Sequence, residues 1–236
     1  MKVSSIINSK ISKRISFLLD NLLPIFIRDN RFFYSMIVKI WNKKFDVDFK
    51  RNVFRMTENE FAEAYEKLSP MRSTDNTRAT NEFVLQNLVG NTVLEIGSGN
   101  GDMSLEIAKM GKKVTSTDIS NNNIEIIQEK ANALNVPIST KQVNVEKIPF
   151  QDNMFDTTIC LHTLEHVRLV YGAIEELKRV TKQRIIIVVP KQRFFKYTAD
   201  YHINFWGEPT QLLLSMNIKK SKCIEIDGCL CFYGDL

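Results

Sequence analysis

The residues with the most chemistry to offer form one string, Val93-Leu94-Glu95-Ile96-Gly97-Ser98-Gly99-Asn100-Gly101. An apolar run feeds three glycines at alternate positions, and a helical pattern follows at once. Glycine suits that place because the turn asks for backbone angles that side chains resist. A ligand must also approach the chain there without meeting a Cβ. The helix behind the turn presents free N–H groups at its start. The string reads GxGxG, with Glu95 two residues ahead of it and Asp102 where a dinucleotide fingerprint needs glycine or alanine. A ligand without a pyrophosphate is therefore favoured over NAD or FAD. Asp118 closes the run Val114-Thr115-Ser116-Thr117, at about the 20-residue offset where a carboxylate meets ribose hydroxyls. Capping the helix that begins near Ser120 is the plainer role for the same side chain.

Regular elements must hold these residues in place. From Thr92 onward, short β-branched runs alternate with longer amphipathic ones. The strands predicted are Thr92–Ile96, Lys113–Thr117, Ile138–Val143, Phe155–Leu161, Arg184–Val189 and Ile218–Ile226. The helices predicted are Asp102–Met110, Asn121–Leu134, Leu169–Val180 and Glu208–Met216. Such alternation implies βαβ units and a Rossmann-like α/β fold, with a mostly parallel sheet and helices on both faces. Residues 1–80 read instead as a helical N-terminal cap, and 81–236 as the ligand-binding domain. In the cap, Ile7, Ile11, Ile15, Leu18 and Leu22 recur at helical spacing, an apolar-rich stretch runs from Phe32 to Trp41, and a third helix is expected at Glu58–Leu68.

Together these residues resemble the class I S-adenosylmethionine-dependent methyltransferases of small-molecule type, over about Thr80 to Pro190. Asn144-Val145-Glu146-Lys147-Ile148-Pro149-Phe150, followed by Asn153-Met154-Phe155-Asp156, is similar to the family segment that lines the adenine pocket. The family usually has Asp where this chain has Asn144. Phe155 to Val167, with its Leu164-Glu165-His166-Val167, resembles the fourth strand and the loop after it. The resemblance implies S-adenosyl-L-methionine as cofactor. It puts Glu95, Gly97, Ser98 and Gly99 at the methionine end, Asp118 and Ile119 at the ribose, Asn144 and Val145 at the adenine, and Leu161 near the methyl group. The family sheet closes with an antiparallel hairpin, and the short run from Gly228 to Leu236 leaves its last strand open.

Methyl transfer from a sulfonium depends mainly on alignment, and a base is needed only if the acceptor must lose a proton. Imidazoles titrate near neutrality, which makes His162 and His202 the catalytic candidates and His166 a helix-capping or packing residue with the same chemistry in reserve. His202 lies in Tyr201-His202-Ile203-Asn204-Phe205-Trp206, similar to a segment of methyltransferases that act on bacterial surface sugars. The expected acceptor is a small molecule or a carrier-linked sugar. The alternative is a non-catalytic S-adenosylmethionine-binding or interaction protein. Cys160, Cys223, Cys229 and Cys231 match neither a zinc spacing nor a disulfide framework, and no metal site is expected.

Charge is uneven along the chain. Residues 1–55 hold twelve basic and four acidic side chains, a net +8, while residues 56–236 carry −3. The body thus lacks the basic excess of a nucleic-acid binder. The N-terminal segment suits anionic partners: it docks as a lid, or residues 1–45 touch an anionic membrane surface. Phe17 to Ile27 is interrupted by Asp20, Asn21 and Pro24 and falls short of the about 20 apolar residues that a span needs. No signal-peptide cleavage site follows it, so a cytoplasmic protein is expected.

Overall fold

The computed structural model describes residues 23–28, 30–33, 52–68, 76–194 and 202–236. The stripe Ile7, Ile11, Ile15, Leu18 and Leu22, most of Phe32–Trp41, and Tyr201 lie outside the described residues.

Seven strands make one sheet in the order β3-β2-β1-β4-β5-β7-β6. Strands β1 (Thr92–Ile96), β2 (Lys113–Asp118), β3 (Ser139–Gln142), β4 (Phe155–Leu161) and β5 (Thr181–Pro190) are parallel to one another. Strand β7 (Cys229–Asp235) lies antiparallel between β5 and β6 (Lys220–Ile226). Helices α1 (Glu58–Leu68), α2 (Arg78–Gln86), α3 (Asp102–Lys109), α4 (Asn121–Leu134), α5 (Val170–Val180) and α6 (Pro209–Met216) accompany it.

The centre of the sheet is covered on both faces, which is why Ile185 to Val189 is an unbroken apolar run. Alternation sends Leu94, Ile96, Ile185 and Ile187 to one core with α5 and α6, and Val93, Ile159, Ile186 and Val188 to another with α2 and α3. Helix α5 buries Ala173, Ile174, Leu177 and Val180, one stripe at helical spacing. Strand β5 starts at Thr181, earlier than the predicted Arg184. Thr181 is already paired with Phe155, and its hydroxyl donates to Leu177 O at 2.6 Å.

The last strand is complete. Asp227 and Gly228 have φ of 49° and 77°, the left-handed pair that a two-residue hairpin turn requires. The turn closes Ile226 against Cys229, and β7 pairs along its whole length. Cys229 and Cys231 face the same core from alternate positions. Helix α2 crosses residue 80. Its cap Thr77 donates its hydroxyl to Asp227 Oδ2 at 2.7 Å, tying the helix to this hairpin. Among the described residues no helix is long and apolar enough to cross a membrane.

Candidate functional site

The strand order reverses between β1 and β4, and parallel sheets bind ligands in the crevice at the carboxyl ends of such strands. The glycine turn sits there. Gly97, Gly99 and Gly101 have φ of 72°, 56° and 77°. A Cβ on Gly97 would stand 2.1 Å from Thr163 Oγ1, so space as well as conformation demands glycine. A Cβ on Gly99 would meet nothing within 4 Å, so open room adjoins the backbone there.

The turn is stitched to β2. Ser98 N–H donates to Thr117 O at 2.9 Å, and Ser98 Oγ accepts the Thr117 N–H at 3.1 Å. Asp118 Oδ2 accepts the Gly99 N–H at 2.9 Å, and Oδ1 accepts the Ser120 N–H at 2.9 Å. The cap of α4 is Ser120, whose hydroxyl accepts the Asn123 N–H. Glu95 is buried behind the turn, bonded to the Ser104 hydroxyl, which in turn reaches Ser116 Oγ at 2.8 Å. Burial pushes the Glu95 carboxyl up to about 7 against the opposing pull of Ser104.

A cavity opens beside the turn. Of the residues expected at the cofactor, Gly97, Asp118, Ile119, Asn144 and Val145 line it, with His162 from the catalytic pair. Glu95, Ser98, Gly99 and Leu161 are not among its lining residues; Leu161 packs in the core. Asn144 Oδ1 accepts the Glu146 N–H at 2.9 Å, which holds the side chain in an Asx turn at the wall. Sequence reasoning missed Thr163, which has only a short-range role visible in the chain, and Phe61, which comes from α1 in the N-terminal region. No local pattern in α1 marks Phe61. It packs in a small apolar cluster with Val53, Met56, Ala64, Ile119 and Ile203, and the Arg168 guanidinium lies 4.6 Å from its ring centroid and donates to Met56 O at 2.7 Å.

Opposite the glycines, two separate segments meet. The 3₁₀ turn Leu164–His166 is bonded to the segment between β5 and α6 that carries His202. Ile203 and Asn204 N–H groups donate to Glu165 O at 2.8 and 3.0 Å, and Asn204 Nδ2 donates to Leu164 O and Val167 O at 2.9 and 2.6 Å. These bonds bring the His166 and His202 rings edge to face, 4.8 Å between centroids. His202 Nδ1 lies 2.6 Å from Gln192 Oε1. His162 has φ 49°, a strained conformation for a side-chain-bearing residue. Its Nδ1 is 3.6 Å from Glu165 Oε1 and its Nε2 is 3.9 Å from Cys229 Sγ.

Burial drives the His162 imidazole toward neutrality, yet Cys229 and Glu165 outweigh it and raise its pKa to about 10. Burial likewise opposes ionisation of Glu165, but the hydrogen bond with His162 and the surrounding imidazoles hold it at about 2. Glu165 and Cys229 thus favour the protonated form of the His162 imidazole.

Residues 94–189 match the family described as Methyltransferase domain. A solved S-adenosylmethionine-dependent methyltransferase from Aquifex aeolicus aligns over 74% of this chain and 97% of its own, at 24% identity and a TM-score of 0.56. The sterol 4-C-methyltransferase strm-1 of Caenorhabditis elegans is 33% identical over 114 residues, 46% of this chain and 32% of that protein. The 2-phytyl-1,4-naphtoquinone methyltransferase of Trichormus variabilis is 30% identical over 139 residues, 56% of this chain and 61% of that protein. The chain thus spans about a third to three fifths of the length of these curated relatives. The family match is confined to residues 94–189, and the likeness to the solved structure is one of fold.

Proposed function

We propose that this protein transfers the methyl group of S-adenosylmethionine to a small-molecule acceptor. The observation that carries this reading is the meeting of Gly97, Asp118, Ile119, Asn144 and Val145 around one cavity at the carboxyl ends of β1 and β2. These residues fit the cofactor part by part. Asp118 keeps lone pairs beyond the two engaged by Gly99 and Ser120, enough to accept ribose hydroxyls. Ile119 and Val145 offer apolar walls for a purine, and Asn144 offers an amide at its edge. Open room beside Gly99 lets backbone approach the methionine end. Glu95 and Ser98 hold the turn from behind, and Leu161 backs the cavity from the core.

When bound, the cofactor supplies a methyl group already activated on a sulfonium, with a neutral leaving group. The chain's own work is then alignment and exclusion of water. Phe61 closes the cavity from α1, while Thr163 and Val167 wall it. His162 contributes positive charge at the wall, and His202 faces the acceptor from its loop, with Gln192 fixing its ring.

The acceptor reading has two sources. Likeness of the His202–Trp206 loop to surface-sugar enzymes supports a carrier-linked sugar, while the names of the relatives support a sterol or a quinone ring. Incubation with methyl-labelled cofactor and a cell extract, followed by separation into lipid and water-soluble fractions, tests both. Label in either fraction is expected; none in any fraction contradicts methyl transfer and favours a binding protein.

The division into a helical cap (1–80) and a catalytic unit (81–236) is part of this proposal, and α2 straddles the boundary. The grip of Arg168 on Phe61 and Met56 supports the cap as a lid. Contact of residues 1–45 with anionic membrane is the competing use of the +8 segment, and a cytoplasmic location suits either. Sedimentation with anionic and neutral vesicles separates them. No pelleting is expected, and pelleting with anionic vesicles alone, lost on removal of residues 1–30, would sink the lid-only reading.

A further inference from the structure

Glu165, His166 and His202 offer one ligand atom each, and these three atoms all lie within 4.8 Å of one another. Two of the residues are adjacent in the chain; the third is brought to them by the bonds that Ile203 and Asn204 make to the Leu164–His166 turn and by the bond from Gln192 N–H to Trp206 O. Glu165 is 1% exposed, and its Oε2 has no hydrogen-bond partner. A buried carboxylate oxygen left unpartnered is costly. The neighbours of the other oxygen are His162 Nδ1 at 3.6 Å and His166 Nε2 at 3.9 Å, both longer than a good hydrogen bond. The carboxylate is therefore held in a shell of nitrogen donors without being fully satisfied by them.

His202 adds an orienting contact. Gln192 Oε1 sits 2.6 Å from its Nδ1. An amide oxygen only accepts, so Nδ1 carries the hydrogen and the lone pair belongs to Nε2. Metal-binding histidines are oriented in this way, by a carbonyl or carboxylate oxygen on the other ring nitrogen.

We propose that Glu165, His166 and His202 form a site for one divalent first-row transition-metal ion, held by two imidazole nitrogens and one carboxylate oxygen. That donor set suits Zn²⁺, Co²⁺ or Fe²⁺ and leaves positions open to water or to an acceptor oxygen. Ligand atoms about 2.1 Å from a tetrahedral ion stand about 3.4 Å apart, so the three side chains close by roughly an ångström on binding. His162 then serves as an outer partner of Glu165. His166 also lines the cavity, which puts the ion at its wall.

The ion would sit beside the acceptor side of the cavity, and its binding is tested without cofactor. The tag-free, chelator-stripped 236-residue chain is titrated with Co²⁺ and followed by its visible ligand-field bands, with Zn²⁺ added afterwards in competition. One equivalent of Co²⁺ is expected to bind, and Zn²⁺ to displace it. His202→Ala and Glu165→Gln should each weaken binding by about tenfold or more, and Gln192→Ala by about tenfold through the outer shell. Circular dichroism identifies any variant that fails to fold, and the half-buried Gln192→Ala change keeps the test alive if Glu165→Gln does. Absence of Co²⁺ bands in the folded wild-type chain, or equal affinity in folded His202→Ala, overturns the proposal.

Discussion

On the glycine side of the cavity the backbone does the holding, whereas on the histidine side the side chains of distant segments do it. Gly97, Ser98 and Gly99 are fixed by main-chain angles and by bonds to Thr117 and Asp118, all within about two dozen residues of sequence. Across the cavity, Glu165, His166 and His162 depend on a loop that returns after β5 and on Cys229 in the last strand. The first arrangement is a local demand, so it leaves a local spacing in the sequence. The second exists only once the topology has closed.

The largest effect expected from breaking this contrast is on the glycine side. Gly97→Ala places a methyl group against Thr163 Oγ1 and forces alanine to φ 72°, a conformation costing about 1–2 kcal/mol before any clash is counted. Cofactor binding should be lost in calorimetry and the melting temperature should fall. A variant that melts and binds like the wild type would refute backbone control of this half.

Glu95 tests the same half through pH. Its pKa in the folded chain is about 7 against an ordinary 4.5, so the folded state holds the proton more tightly than the unfolded one. Stability from this group is full below about pH 4.5, declines as pH rises through about 7, and levels off above. The shift corresponds to about 3 kcal/mol at most. Thermal melts across this window should show the decline in the wild type and a flatter profile in Glu95→Gln. Parallel profiles would mean that the carboxyl titrates normally.

Asp118→Ala removes the acceptor of the Gly99 and Ser120 N–H groups as well as any ribose contact. Cofactor affinity should weaken by roughly 1.5–3 kcal/mol, read by titration. The smallest of these effects is expected on the histidine side. Asn204→Ala deletes two bonds worth about 0.5–1.5 kcal/mol each, and should lower kcat while leaving cofactor Kd nearly unchanged. An equal loss in Kd would mean that the two halves are not separable.

Legibility followed the same division. The run Val93 to Gly101 announced a strand, a left-handed turn and a helix because each needs particular residue types in order, and the structure has all three there. The run Phe155 to Leu161 and helix Asn121–Leu134 kept their predicted bounds because apolar periodicity and the Ser120 cap act locally. The Asp227-Gly228 turn carried a hairpin signal that the short tail obscured. Phe61 carried none, since its place depends on Ile119, Arg168 and Ile203, far along the chain. His202 and His166 were each notable alone, but nothing in their spacing told that Asn204 would pin one loop onto the other.

The central claim is that the glycine turn and Asp118 hold S-adenosylmethionine in this cavity. Calorimetric titration of the 236-residue chain and its Asp118→Ala variant, with S-adenosylhomocysteine and separately with NAD, tests it most directly. Saturable heat is expected with S-adenosylhomocysteine, weakened about tenfold or more in the variant, and none with NAD. Binding of NAD, or S-adenosylhomocysteine affinity untouched by Asp118→Ala, would contradict it.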